Sequence, residues 1–171
     1  MRTVAALAVA GALAAIAGGA HAQALVNQPT LSLDAAQEVA AAALAHCRKE
    51  GHHVSISVLD RTGRPIVTLR DNGASPHSYE HSLRKAYTAL TYNMPSAEYG
   101  KRAAGSQGAI GPQLLPNITT AAGGLPIRAG DVVVGAVGVS GTPGKAGGGA
   151  ADAQCGQAGI DRIAKGLSAG G

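Results

Sequence analysis

The segment Val54-Ser55-Ile56-Ser57-Val58-Leu59-Asp60-Arg61-Thr62-Gly63-Arg64-Pro65-Ile66-Val67-Thr68-Leu69-Arg70 reads as two extended runs joined by a polar turn. Its first run alternates apolar and polar residues, the two-residue period of a half-buried strand. Asp60-Arg61-Thr62-Gly63 carries the turn residues, and Ile66 to Arg70 returns as a second strand. A β-hairpin is therefore predicted.

Upstream of the hairpin, Ser32 can cap a helix running to about Glu50, with Asp34 in its electropositive first turn. Leu33, Ala36, Val39, Ala40, Ala43, Leu44 and Cys47 recur at helical spacing, and Gly51 stops the run. Downstream, Asp71 to Pro76 is a loop and a second helix is expected from His77 to Asn93. Met94-Pro95-Ser96 breaks it, and Ser96 is placed to cap a short helix to Ala104. Gly105 to Pro116 is a long Gly/Pro-rich loop of the kind that frames a pocket. Ile118–Ala122, Leu125–Arg128 and Val132–Val139 read as three strands, the last apolar on both faces and so central. Gly141 to Gly149 is a flexible loop, and Asp152 to about Leu167 forms a closing helix. The order α-β-β-α-α-β-β-β-α, with adjacent strands and tight turns, predicts an α+β domain: an antiparallel sheet with helices packed on it.

The ends of the chain and its composition bound the rest. Met1-Arg2, an apolar stretch from Val4 to about Gly18 and the small-x-small site Ala20-His21-Ala22 predict a signal peptide over 1–22. A single mature domain over 23–171 and a periplasmic or secreted location follow. No later apolar run reaches the about 20 residues a transmembrane helix needs. Phe and Trp are absent and all four tyrosines lie between Tyr79 and Tyr99, so the core must be built from close-packed Ala, Val, Leu and Ile. Basic residues exceed acidic ones by 14 to 10 without forming a stripe, which argues against nucleic acid. Cys47 and Cys155 either bridge the first helix to the last or remain two buried thiols. Neither belongs to a C-x-x-C pair, so covalent c-type haem attachment is excluded.

Three ordered stretches carry a family resemblance. They are Val58-Leu59-Asp60-Arg61-Thr62-Gly63 with Leu69-Arg70-Asp71; Lys85-Ala86-Tyr87-Thr88-Ala89; and Gly123-Gly124-Leu125-Pro126-Ile127 with Val134 to Gly141 and Asp152 to Gly159. In this order and spacing the chain resembles the GlcG/HbpS family, also called haem-degrading domains. The resemblance implies a profilin-like fold with a five-stranded antiparallel sheet flanked by helices, and assembly into a homo-oligomer. It further implies haem binding in some members, and in one group a membrane sensor kinase as partner. The family's haem ligands vary, so no ligand is carried over.

The second helix offers the clearest chemistry. At 100° per residue, His77, His81, Lys85, Thr88 and Tyr92 fall within a sector about 80° wide. Tyr79, Leu83, Ala86, Leu90 and Met94 lie opposite, the expected core stripe. The first set is read as a cofactor wall: His77 and His81 as metal ligands, with a phenolate such as Tyr92 also able to bind haem iron. Lys85 and Arg70 would pair with propionates, and Thr88 falls inside the family-like segment. The competing reading is an ordinary solvated face.

Other patterns carry less. His46, His52 and His53 lack the carboxylate or thiolate partners of a closed zinc site, and a histidine near a helix C-terminus is favourable by itself. Gly144-Lys145-Ala146 lacks the serine or threonine and the earlier glycine of a P-loop. The leading expectation is an exported haem-binding protein for storage, transfer or sensing. The alternative is an enzyme or accessory factor for a small 2-hydroxy acid or similar carboxylate, held by Lys85 and Arg70.

Overall fold

A computed structural model describes residues 25–106, 108, 110–144 and 149–168. The expected export segment, 1–22, lies outside them. Among the described residues, five helices and four strands follow one another: α1 (Leu33–Lys49), β1 (Ser55–Asp60), β2 (Pro65–Arg70), α2 (Ser78–Tyr92), α3 (Ser96–Ala104), the single turn α4 (Ile110–Gln113), β3 (Gly124–Ala129), β4 (Val132–Ser140) and α5 (Ala150–Ser168). The sheet is wholly antiparallel in the order β2-β1-β4-β3.

The hairpin forms as read. Asp60 Oδ1 accepts hydrogen bonds from the Thr62 and Arg64 amides at 2.7 and 3.1 Å, and Gly63 takes a φ of 84°. That angle favours a residue without Cβ. Ser32 caps α1 by accepting from the Ala35 amide at 3.2 Å. β4 is buried along nearly its whole length between β1 and β3, as its two-sided apolar pattern predicts.

The five-stranded expectation is corrected to four. Ile118–Ala122 does not join the sheet, because side chains take up its main-chain groups. Thr88 Oγ1 accepts from the Thr119 amide at 2.9 Å, and Ser96 Oγ donates to the Ala121 carbonyl at 2.7 Å. Ser96 also accepts from the Gly124 amide at 2.9 Å. It is the first residue of α3, not its cap, and pins this connection to the start of β3.

The two faces of the sheet differ. Ile56, Val58, Val137, Val139 and Ile127 meet α1 and α5 in a closed aliphatic core. There the Cys47–Cys155 disulfide joins the two helices, with both residues buried, which resolves the alternatives left open by the sequence. The opposite face carries Ser55, Ser57, Leu59, Ala136 and Gly138, and α2 lies on it. β1 is therefore covered on both sides, not half-buried as its alternation predicts.

Close approach makes this second interface. A Cβ on Gly138 would lie 2.1 Å from the Ser82 carbonyl oxygen, and one on Gly124 would lie 1.9 Å from that of Lys85. Ser55 Oγ and Ser78 Oγ are 2.8 Å apart, as are Ser57 Oγ and Ser82 Oγ. The buried side of α2 is accordingly Ser78, Ser82, Lys85, Ala86, Thr88 and Ala89. The expected core stripe is corrected: Ala86 is buried, but Tyr79 is 50% exposed and Leu83, Leu90 and Met94 are only partly covered. Glycine and serine let the helix backbone settle on the strands, so small residues face inward where large apolar ones were expected. Gly138→Ala is expected to lower stability by about 1–3 kcal/mol through this clash. Gly166→Ala, with nothing within 4 Å, should be neutral or slightly stabilising in a helix. Urea denaturation of the two variants checks the contrast.

Candidate functional site

α2 twists the predicted polar row from solvent into the protein. His77 at its start is exposed, His81 one turn on is half-buried, and Lys85 and Thr88 are fully buried. His77 and His81 form, with Glu80 and Arg84, the wall of an open hollow of about 190 Å³. Their ring centroids are 6.4 Å apart.

His81 is the better anchored of the two. Its Nδ1 lies 3.4 Å from Ser140 Oγ at the end of β4, and its Nε2 lies 3.3 Å from Thr119 Oγ1. The displaced segment 118–122 thus supplies one of its partners. Burial, followed by the repulsion of Lys85 and His77, lowers the His81 pKa below the ordinary imidazole value, against an opposing pull from Asp152. The shift favours the neutral imidazole, the form that can ligate a metal.

Beneath the histidines is a buried ion pair. Lys85 Nζ donates to Asp152 Oδ2 at 2.7 Å, and both side chains are 3% exposed. Asp152 Oδ1 accepts from the Thr142 amide at 3.1 Å, and Asp152 sits in the first turn of α5, where the helix dipole favours its charge. Lys85 thus spends its charge on a carboxylate of its own chain and ties α2 to α5. Thr88 is equally committed, donating to the Arg84 carbonyl at 2.8 Å and accepting from Thr119.

The remaining candidates stand apart. Tyr92 stacks on Tyr99 with ring centroids 4.0 Å apart and faces a separate hollow with Arg102 and Ser106. Burial raises the Tyr99 pKa to about 12, assisted by Tyr92. Arg70 ends β2 and donates to the Ala74 carbonyl. Through the Arg70–Ser55–Ser140 pairings it shares the α2 face of the sheet, about 10 Å from Ser140 by the strand spacing. The structure therefore joins His77 with His81, buries Lys85 and Thr88 on separate partners, and leaves Arg70 and Tyr92 outside the histidine hollow.

Arg84 and Glu80 escaped the sequence reading, although both lie within one turn of His81. Ser140 and Asp152 fall inside the family-like stretches without a role assigned there and Thr119 lies outside them, because their roles arise only from the fold. At the end of α1, Asp71 accepts from Arg48 Nη2 at 2.6 Å and lies 3.3 Å from His53 Nδ1. The Arg48 hydrogen bond holds the Asp71 pKa at about 2. Among the described residues no three His, Cys, Asp or Glu side chains gather as a metal site. Nor is any described helix long and apolar enough to cross a membrane.

The helix-flanked antiparallel sheet places the chain among small α+β proteins, and comparison narrows the class. The family described as haem degrading protein HbpS-like matches residues 31–161, and the chain belongs to that family. The crystal structure of HbpS superposes with a TM-score of 0.73 at 40% identity, covering 83% of this chain and 96% of that one. Klebsiella pneumoniae ORFY gives a TM-score of 0.75 at 30% identity, over 84% and 97% of the two chains. PduOC, solved as a haem complex, gives 0.69 at 25% identity, over 78% and 95%.

Proposed function

We propose that this is an exported haem-binding protein, acting in the periplasm or outside the cell in storage, transfer or sensing, and that α2 presents the haem-iron ligand. Family membership and the likeness to a haem complex support the class. The observation that carries the reading is His81, an imidazole positioned by Ser140 and Thr119 at the wall of an open hollow.

The donor chemistry fits haem iron, while the space fits only part of the ring. Pockets that enclose a ligand typically measure about 300–1,000 Å³, and this one is about 190 Å³. One chain therefore offers one face of a haem site, and a second copy covers the other. Bound haem would supply the redox and spectroscopic properties. The protein's part is to present His81 or His77 to the iron and, through exposed Arg84, to meet a propionate. Lys85 and Thr88 act from below by fixing the helix. A membrane kinase as the receiver of a haem signal belongs to the same proposal.

Haemin titration of the mature protein tests it. The expected result is a shifted Soret band at micromolar haemin, saturating at one haem per two chains. Free-haemin absorbance throughout the titration would overturn the proposal.

A further inference from the structure

A further hollow, of about 380 Å³, lies where the β1–β2 turn, the end of α2 and the β3–β4 turn meet. Two arginines line it. Arg128 Nη2 donates to the Asn93 carbonyl at 2.6 Å, and its Nη1 donates to the Asp131 carbonyl at 3.3 Å. Arg61 Nη1 donates to the Val133 carbonyl at 3.0 Å. Val133 is the β4 residue paired with Arg128 on β3, so Arg61 is tied to the strand pair that carries Arg128.

All three bonds end on main-chain carbonyls. Among the described residues, Arg48 and Arg162 pair with Asp71 and Glu38, whereas neither Arg61 nor Arg128 makes an ion pair with a carboxylate. Asp131 lines the same hollow but offers Arg128 its main-chain oxygen. The carbonyls fix the orientation of each guanidinium and leave further N–H groups free, since each fork carries five donors. Two arginines against the one acidic residue of the lining, Asp131, give the recess an excess of positive charge that a bound anion would meet. Leu90 and Val132 add apolar wall, suited to a short aliphatic portion of a ligand.

We infer that this recess is a binding site for a small oxyanion, a carboxylate- or phosphate-bearing molecule with a short carbon chain, clamped by Arg61 and Arg128. The site is separate from the histidine hollow and does not depend on haem binding. Guanidinium forks match both oxyanion types in two-point contacts, so the probes must separate them.

The test is calorimetric titration of the mature protein with succinate, citrate and inorganic phosphate, at ionic strength matched with chloride. Saturable binding of at least one probe is expected, at least tenfold weaker in both Arg61→Gln and Arg128→Gln and unchanged in Arg64→Gln. Preference among the probes identifies carboxylate or phosphate as the ligand group. Because Arg128 also closes the end of α2, Arg128→Lys provides a check that keeps the charge but loses the fork, and it too should bind more weakly. No saturable binding beyond the chloride control, or equal binding by the Arg61 and Arg128 variants, overturns the proposal.

Discussion

Asp152→Ala is expected to destabilise the protein by about 3–5 kcal/mol, because it strands the Lys85 ammonium without its counter-charge. Lys85 and Asp152 are each 3% exposed at the side chain, so water cannot replace the lost partner. In a domain of this size the loss corresponds to a fall in Tm on the order of 10 °C. The cost belongs to the broken pair and not to the absence of charge. Lys85→Met with Asp152→Leu should therefore recover most of the stability, since an apolar pair of similar volume avoids the desolvation of both ions. Thermal unfolding followed by circular dichroism separates the cases. A single variant within 1 kcal/mol of the parent would show that the pair contributes little. The functional consequence lies one turn away: Lys85 is among the charges that lower the His81 pKa, so its replacement by Met should raise that pKa in a nuclear magnetic resonance titration.

Removal of the Cys47–Cys155 disulfide is the second large effect. The bridge closes a separation of 108 residues, and in the chain-entropy model a loop near 100 residues is worth about 4.7 kcal/mol, with removal from small secreted domains typically costing about 2–5. Both cysteines are buried against the aliphatic core, so added reductant reaches them poorly. Cys47→Ala with Cys155→Ala is the better test. Its urea midpoint should drop well below that of the oxidised parent, and an unchanged midpoint would mean that α1 and α5 are held by packing alone. A structural disulfide of this kind suits an oxidising compartment, which supports the proposal of export.

Much of the architecture was legible because local rules and tertiary packing agree there. The Asp60–Gly63 turn, the Ser32 cap and the two-sided apolar run of β4 each announce themselves within a few residues. Ile118–Ala122 misled because its apolar and β-branched residues suit a strand, while the side chains that claim its backbone, Thr88 and Ser96, lie about 25–30 residues earlier in the chain. Of the polar row, His77 and His81 share one hollow, while Lys85 and Thr88 are buried and Tyr92 faces another hollow. The row's relation to the core was hidden. The usual inference that large apolar residues face inward fails where Gly124 and Gly138 let a helix backbone touch the sheet. Lys85 is buried because a carboxylate 67 residues away receives it, and no periodicity reports such a partner. Of the candidate site, the sequence therefore disclosed the histidines but neither their supports nor the boundary between buried and open positions.

The proposed haem site requires α2 to offer an imidazole to the iron at the hollow beside Ser140. The most direct measurement is the visible spectrum of haemin-loaded protein in the parent, His81→Ala, His77→Ala and the double variant, with His46→Ala as control. Haemin binding at least tenfold weaker and a displaced Soret band are expected for His81→Ala or His77→Ala, most strongly for the double variant, with His46→Ala unchanged. Identical spectra and affinities in the double variant and the parent would contradict the claim.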